Sequence, residues 1–193
     1  MNIMKKYPFV ILIILMLFFF TKSAVSQTYT AGDQINLQIN EFSLIDTNHA
    51  PVTLALTTSV AGAPVTTTSN SDMYVKISSV VPGGTDREMT VRIASGTVPT
   101  GTKLTVVSAS CTTANSGGNR GTAITTPIIL SATDQFLVRF IGSCYTGTGY
   151  NDGYRLTYTW QTDNPATNYG LLKSTTNPTP ITVVLTLTAH DGN

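Results

Sequence analysis

Few residues in this chain have side chains suited to catalysis. It has two histidines, His49 and His190, and two cysteines, Cys111 and Cys144. A Ser–His–Asp hydrolase needs a histidine base that a carboxylate orients. His49 lies in a turn-like stretch, and His190 stands next to Asp191, whose side chain would point to the opposite face of a strand. We therefore expect both histidines to be solvated surface residues.

The acidic residues do not form a catalytic pattern either. A glycosidase needs two carboxyl groups that face each other across a cleft, but Glu41 and Glu88 are the only glutamates, and most aspartates stand beside turn residues. The glycine-rich residues 147–153 lack the spacing and the following helix of a phosphate loop. Residues 46–48 and 151–152 offer oxygen ligands for calcium without the ordered spacing of a calcium loop. We expect a protein that is not an enzyme and has no cofactor.

The first residues have the plan of an export signal. Lys5 and Lys6 precede an apolar run over residues 7–20, and small polar residues follow. This order is typical of a secretory signal peptide, and the run of 14 residues is shorter than the roughly 20 that a spanning helix needs. We predict a cleaved signal peptide over residues 1–26 and one mature domain over residues 27–193. The mature domain, without a membrane span, would be secreted, displayed on the cell surface or held in the periplasm.

Removing that signal changes the composition. The whole chain has 11 basic and 10 acidic residues, whereas residues 27–193 have eight and ten. Such a near balance excludes a basic surface for nucleic acid. The same residues include 33 threonines, whose β-branched side chains favour strands over helices.

Alternation of apolar and polar residues predicts about nine strands. The alternating segments are residues 35–39, 52–56, 73–77, 89–93, 104–106, 127–130, 136–141, 154–160 and 181–187. In one of them the pattern places Phe136, Val138 and Phe140 on one face. Turn signals separate the segments, and no mature window has a capped helical period. We therefore predict an all-β fold, an antiparallel immunoglobulin-like β-sandwich.

The predicted export determines how the two cysteines are interpreted. In an oxidising compartment we expect a disulfide between Cys111 and Cys144. The bridge would close a loop of 34 residues, which the chain-entropy relation values at about 3–4 kcal/mol. A catalytic thiol would need a nearby base, and no local Cys/His pattern supplies one.

Aromatic residues are concentrated late in the chain. Eight of the eleven in residues 27–193 lie between positions 136 and 169. Three fall in predicted loops, where they could stack on sugar rings or contact a partner protein: Tyr145, Tyr150 and Tyr169. Three others alternate along one strand and are expected to pack in the core: Tyr154, Tyr158 and Trp160.

In overall plan the sequence resembles the secreted fimbrial, pilin-like β-sandwich subunits of bacterial surfaces. The shared features are the signal peptide, the alternating residues 34–40, a Thr- and Gly-rich middle, the aromatic strand over residues 153–160 and an alternating final strand over residues 181–189. The cysteines depart from this plan, because pilins of the chaperone–usher type usually place their disulfide early.

The resemblance implies strand exchange between subunits. Ile35, Leu37 and Ile39 would insert into a groove on a neighbour and complete its sheet. The alternative is that residues 34–40 form the first strand of their own sandwich. A second hypothesis is a carbohydrate-binding or adhesin module that uses the loop tyrosines. The sequence thus favours a non-enzymatic structural or adhesive surface protein, with itself, other surface subunits or glycans as partners.

Overall fold

The structure is a computed structural model that describes residues 31–175 and 177–190. The predicted signal peptide over residues 1–26 lies outside the described residues. The chain divides into two units, residues 1–38 and residues 39–193. Residues 31–38, the described part of the first unit, form no helix or strand, and their side chains are exposed.

The described part of the second unit is built from strands and one short helical segment. The strands are β1 (Phe42–Thr47), β2 (Thr68–Val80), β3 (Arg87–Ser95), β4 (Thr102–Ser108), β5 (Gly117–Gly118), β6 (Thr122–Ala123), β7 (Ile128–Ile129), β8 (Gln135–Ile141), β9 (Cys144–Tyr145), β10 (Tyr154–Thr162) and β11 (Thr182–Ala189). Between β10 and β11 lie helix α1 (Pro165–Asn168) and a 3-10 helix (Tyr169–Leu171). The predicted all-β class is confirmed.

The strands form two antiparallel sheets. The larger has the order β5-β9-β2-β10-β4-β7, with β1 also paired to β2, and the smaller has the order β11-β3-β8-β6. Both sheets contribute to one hydrophobic core. Its fully buried side chains include Val75 of β2, Val106 of β4 and Leu156 of β10 from the larger sheet, with Met89 of β3 and Leu137 of β8 from the smaller. The shared core makes the fold sandwich-like.

The aromatic strand β10 packs as its alternation predicts. Tyr154, Leu156 and Tyr158 are buried. The polar end of each buried tyrosine has a partner, because the Tyr154 hydroxyl donates to the carbonyl oxygen of Arg120 and the Tyr158 hydroxyl lies 3.7 Å from Met73 Sδ. Tyr154 and Tyr158 are therefore core residues. Trp160, the third predicted core aromatic, is partly buried against the core, and its indole N–H donates to Thr102 Oγ1 at 2.9 Å.

Strand β8 departs from simple alternation. Leu137, Val138 and Ile141 are buried, whereas Phe136 and Phe140 are nearly half exposed. The register with β3 shifts within this strand, and Phe140 has a φ of 61°, in the left-handed region. A bulge of this kind turns side chains to the other face. The prediction that Phe136, Val138 and Phe140 share one face is therefore wrong.

Residues 52–56 do not form the predicted strand. Backbone hydrogen bonds hold the chain on either side of them: the Asn48 N–H donates to the Tyr74 carbonyl of β2 (3.0 Å), and the Thr66 N–H donates to the Thr57 carbonyl (2.8 Å). Their apolar side chains alternate in burial and partly pack on the core. The alternation thus marks a core-facing side of the segment, but ladder pairing with β2 is not formed.

The sheet edges differ sharply in length. β5, β6 and β7, at three outer ends of the sheets, have two residues each. β1 and β11 have six and eight residues, pair with only one described strand each and lie next to each other. β11 contains no charged residue and no proline, two features that commonly protect an edge. We call β1 and β11 together the open edge.

Candidate functional site

The predicted exchange residues are the most exposed large apolar side chains of the described chain. Ile35, Leu37 and Ile39 are 80%, 92% and 86% exposed. Their spacing of two places them on one side of an extended segment. Residues 31–41 belong to no strand, so the strand that the alternation predicts over residues 35–39 is not formed in the structure. Within the described residues, this segment is not part of either sheet.

The open edge is itself incompletely covered. Val183, Leu185 and Leu187 of β11 pack against the core but remain partly exposed, although they lie on a strand that is hydrogen-bonded to β3. On β1, Phe42 and Leu44 are exposed. Because β11 pairs on one side only within the described residues, its outer backbone groups can accept a further strand.

An ion pair between buried Arg87 and half-exposed Glu41 fixes the chain where it enters β1. Glu41 Oε1 accepts a hydrogen bond of 2.6 Å from Arg87 Nη2, and Arg87 Nε donates to Ser79 Oγ at 3.2 Å. Arg87 begins β3 and pairs in register with Ala189 of β11, whereas Ser79 belongs to β2. The pair therefore joins both sheets at one end of the open edge.

The two cysteines are neighbours in the core. Both are buried, and the Thr113 hydroxyl donates to the Thr146 carbonyl at 3.0 Å, so the segments that follow them lie side by side. The predicted disulfide is not formed in the structure, which has both residues in the thiol form. Burial, and the charge of an ionised Cys111, raise the pKa of Cys144 to about 11 against a smaller lowering by Arg120.

This pKa predicts a loss of stability in alkali for the reduced protein. The folded state holds the Cys144 proton more tightly than an unfolded chain, whose thiol has a pKa near 9.0. The resulting contribution to the free energy of unfolding is therefore complete below pH 9.0 and is lost as the pH rises through about 11. Burial also raises the pKa of Tyr158 to about 12, which adds a loss of the same sign above 10.0. Urea unfolding under reducing conditions at a series of alkaline pH values measures both.

The variant Cys144→Ala tests the thiol contribution between pH 9.0 and about 11. In this variant the free energy of unfolding should depend less on pH between 9.0 and about 11. At higher pH the buried Tyr154, whose pKa is also raised, chiefly by burial and then by the charges of Cys144 and Cys111, adds to the loss from Tyr158. The loss caused by tyrosine ionisation at higher pH should remain. Identical pH profiles for the reduced wild type and Cys144→Ala would contradict the assignment to the thiol.

The three candidate contact tyrosines are accessible, but the structure does not bring them together. Tyr145 and Tyr150 are more than half exposed, and Tyr169 is somewhat less so. Tyr145 lies in β9 rather than in the predicted loop, because Cys144 and Tyr145 pair with β2 and β5. Tyr150 lies between β9 and β10, and Tyr169 begins the 3-10 helix.

Strand β10 separates the tyrosines. It has nine residues and spans roughly 25–30 Å. Tyr145 and Tyr150 lie before its first residue, whereas Tyr169 follows its last and stays at that end, since Asn168 packs closely against Gly101, next to the start of β4. A single ligand site made from all three tyrosines is therefore not formed.

Sequence reasoning missed an ionic and aromatic cluster on the four-stranded sheet. Arg139 Nε donates to Glu88 Oε1 at 2.8 Å, and only 8% of the Glu88 side chain is exposed. The Arg139 guanidinium lies 4.6 Å from the ring centroid of Phe136 and 5.0 Å from that of Phe140. This stack accounts for the outward position of both phenylalanines and satisfies a buried carboxylate.

His190 completes that cluster. Its Nδ1 lies 2.7 Å from Asp86 Oδ1 and its Nε2 lies 3.7 Å from Glu88 Oε1, and its main-chain N–H donates to the Asp86 carbonyl at 3.0 Å. The expectation of a solvated His190 is wrong, since β11 pairs with β3 to its last residue and carries the histidine onto the sheet. His49 is a surface residue as expected.

The Arg139 contacts predict a specific loss of stability. We expect Arg139→Met to lower the free energy of unfolding by about 2–3 kcal/mol, because it leaves the buried Glu88 carboxylate without its closest cation. Arg92→Met on β3 is a matched control, since Arg92 pairs with exposed Asp134 at 3.7 Å, and should cost below about 1 kcal/mol. Urea unfolding of both variants tests this, and equal losses would contradict it.

The candidate calcium residues are engaged elsewhere. Asp46 lies 3.7 Å from Lys76 Nζ, and the Gly149 N–H donates to Asp152 Oδ2 at 2.7 Å. Across the described ranges, no group of three or more His, Cys, Asp or Glu residues is placed to hold a metal ion. The aspartate in the 146–153 connection therefore has a turn-forming role.

Comparisons with family models, with curated proteins and with solved structures found no match for this chain. Within residues 31–175 and 177–190, none of the helices has the length and hydropathy required to cross a membrane.

Proposed function

We propose that the protein is a secreted, non-enzymatic structural subunit of the fimbrial type, assembled by strand exchange between copies. One observation carries the proposal: Ile35, Leu37 and Ile39 are almost fully exposed in an alternating segment that belongs to no strand. An isolated apolar side chain at a surface is ordinary, but three in strand register need a partner surface.

The energetics favour a partner that supplies backbone pairing as well as burial. Covering an isoleucine or leucine contributes about 1.5–3 kcal/mol, so the three side chains supply roughly 5–9 kcal/mol. Association costs an estimated 4–15 kcal/mol in lost freedom. Side-chain burial alone is therefore marginal, and the additional hydrogen bonds of an added strand decide the balance.

The open edge of another copy fits this requirement. Strand β11 (Thr182–Ala189) offers eight residues, and the exchanged segment, residues 34–40, has seven. Neither contains a charged residue, so pairing would desolvate no ion and meet no like charge. An added strand would also cover the partly exposed Val183, Leu185 and Leu187, which pack on the core beneath it.

Two further features belong to the same proposal. We infer an immunoglobulin-like arrangement of the two antiparallel sheets, supported by their common core and by the short strands and turns between them. We also infer export by residues 1–26, followed by oxidation of the neighbouring Cys111 and Cys144. The resulting bridge would stabilise the domain by about 3–4 kcal/mol.

Size-exclusion chromatography and negative-stain imaging of the purified protein, as processed by the cell that exports it, test the assembly. Filaments, or a ladder of species whose masses are multiples of one subunit, would support strand exchange. A monomer that persists at high protein concentration would contradict it, because the apolar segment would then remain exposed without a partner.

The second candidate function is glycan binding, and the exposure of Tyr145 and Tyr150 at one end of β10 favours it. We expect Tyr150→Ala to reduce retention on a glycan array by about tenfold while changing stability by less than about 0.5 kcal/mol. Phe42→Ala, which removes an exposed aromatic ring of β1, is the matched control. Absence of retention for the wild type would count against this candidate.

A further inference from the structure

A polar cleft opens at the end of β10 that lies away from Tyr145 and Tyr150. Its volume is about 400 Å³, within the range of small-molecule sites. Six polar residues line it, from the approach to β2, from β4 and from the end of β10 onwards: Thr67, Lys103, Gln161, Thr162, Asp163 and Asn164.

The charges in the cleft cancel. Lys103 Nζ lies 3.2 Å from Asp163 Oδ1, and these are the only charged residues among those that line it. An incoming anion or cation would therefore compete with an ion pair already made. A neutral ligand that both donates and accepts hydrogen bonds can use the outer lone pairs and protons of the same pair without separating it.

The remaining polar groups are of mixed donor and acceptor character. The Thr67 hydroxyl donates to Gln161 Oε1 at 3.4 Å, which leaves the amide nitrogen of Gln161 to donate to a ligand. Asn164 adds a second amide. Sugar hydroxyl groups, which donate and accept at once, match such a set better than a purely anionic or purely apolar ligand does.

Thr162 also lines the cleft, but its hydroxyl is buried. Thr162 is only 8% exposed, and its Oγ1 has no hydrogen-bond partner among the residues that the structure describes. Leaving such a group unpaired costs about 1–3 kcal/mol. Because side chains alternate along β10, Thr162 lies on the face opposite Gln161, so its hydroxyl is not among the groups that would contact a ligand.

The walls of the cleft are held in place by the backbone. The Asp163 N–H donates to the Gly101 carbonyl at 2.9 Å, and Asn164 has a left-handed φ of 50°, which turns the chain into α1. Val65 and Pro165 add a small apolar side. Tyr169 follows Pro165 by one helical turn and is partly exposed, which places an aromatic ring close to this end of the fold.

We propose that this cleft binds a neutral saccharide of one or two rings, with Lys103, Gln161, Asp163 and Asn164 contacting its hydroxyl groups. The site is separate from the exchange segment and from Tyr145 and Tyr150, so it adds a binding function to the proposed structural subunit. If no saccharide binds to the cleft, the proposal of strand exchange still stands, because the assembly experiments do not depend on saccharide binding.

Titration of the isotope-labelled protein, followed by amide chemical shifts, tests the site. The probes are glucose, galactose, mannose and N-acetylglucosamine, their common disaccharides, and glucuronate as an acidic counterpart. We expect at least one neutral sugar to bind with a Kd of about 1 mM or below, with shifts confined to the residues of the cleft. Tighter binding of glucuronate, or no shift with any neutral sugar, would overturn the proposal.

Two variants connect the binding to the cleft. Lys103→Met and Gln161→Leu should each weaken the sugar by about tenfold. Lys76→Met is the matched control, because Lys76 also pairs with an aspartate, Asp46, but lies outside the cleft, and its affinity should equal that of the wild type. If both cleft variants kept intact folds in their spectra and bound the sugar with unchanged affinity, the sugar would bind outside the cleft and the proposal would be wrong.

Discussion

Replacing Leu37 with aspartate is expected to abolish assembly while leaving the stability of the folded subunit unchanged. Leu37 is the middle and most exposed of the three apolar residues in the exchange segment. A carboxylate at this position would have to be desolvated when the segment is buried on a neighbour, a penalty of several kcal/mol that exceeds the contribution of the lost leucine. Size-exclusion chromatography gives the assembly state, and urea unfolding gives the stability.

The neighbouring residue provides the control. Asn36→Asp adds the same charge one position away, on the opposite side of the extended segment, where an added strand faces solvent. We expect Asn36→Asp to assemble as the wild type does. Equal loss of assembly in both variants would indicate that net charge, and not burial of one side, controls association, and would contradict strand exchange.

Replacing Gly153 with alanine is expected to lower the free energy of unfolding by about 3–5 kcal/mol. Gly153 precedes β10 with a φ of 101°, a conformation that L-residues rarely adopt. A Cβ there would overlap the carbonyl group of Val75, the residue that pairs with Tyr154 at the start of the β2–β10 ladder. Backbone would have to move, and the buried Tyr154 would move with it.

Gly84→Ala separates strain from overlap. Gly84 also has a positive φ, of 81°, but a Cβ there would meet no atom within 4 Å. We expect this variant to cost about 1 kcal/mol, the conformational part alone. Urea unfolding measures both variants. If Gly84→Ala lost as much as Gly153→Ala, the close approach of Gly153 to β2 would not be the cause.

Local patterns predicted these long strands because their apolar side chains alternate. Alternation around Met89, Leu156 and Leu185 located β3, β10 and β11. The apolar side chains of β11 are only partly buried, and β3 also buries Glu88 and Thr90 on its other face. The two-residue strands β5, β6 and β9 are too short to carry any alternation, so their positions depend on long-range pairing. β1 was missed because Phe42–Thr47 lacks a clear apolar period.

The functional residues also differ in how far the sequence alone could reveal them. Ile35, Leu37 and Ile39 could be found because they are close in sequence, and only their exposure required the structure. The cluster around Glu88 combines residues from β3, β8 and the end of the chain. The cleft joins Lys103 to Asp163 across two strands. These contacts join residues that are far apart in the sequence. The register between strands determines them, so the spacing of residues in the sequence does not reveal them.

The single long open edge also has a consequence for the symmetry of any assembly. A contact between residues 34–40 of one copy and β11 of the next joins two different surfaces, so it is heterologous and leaves one unused surface at each end. The rotation between successive copies then decides whether they close into a ring or grow as a filament without a fixed size. Pairing of β11 with β11 would instead be isologous and would stop at a closed dimer. The distribution of masses thus distinguishes the two uses of the same edge.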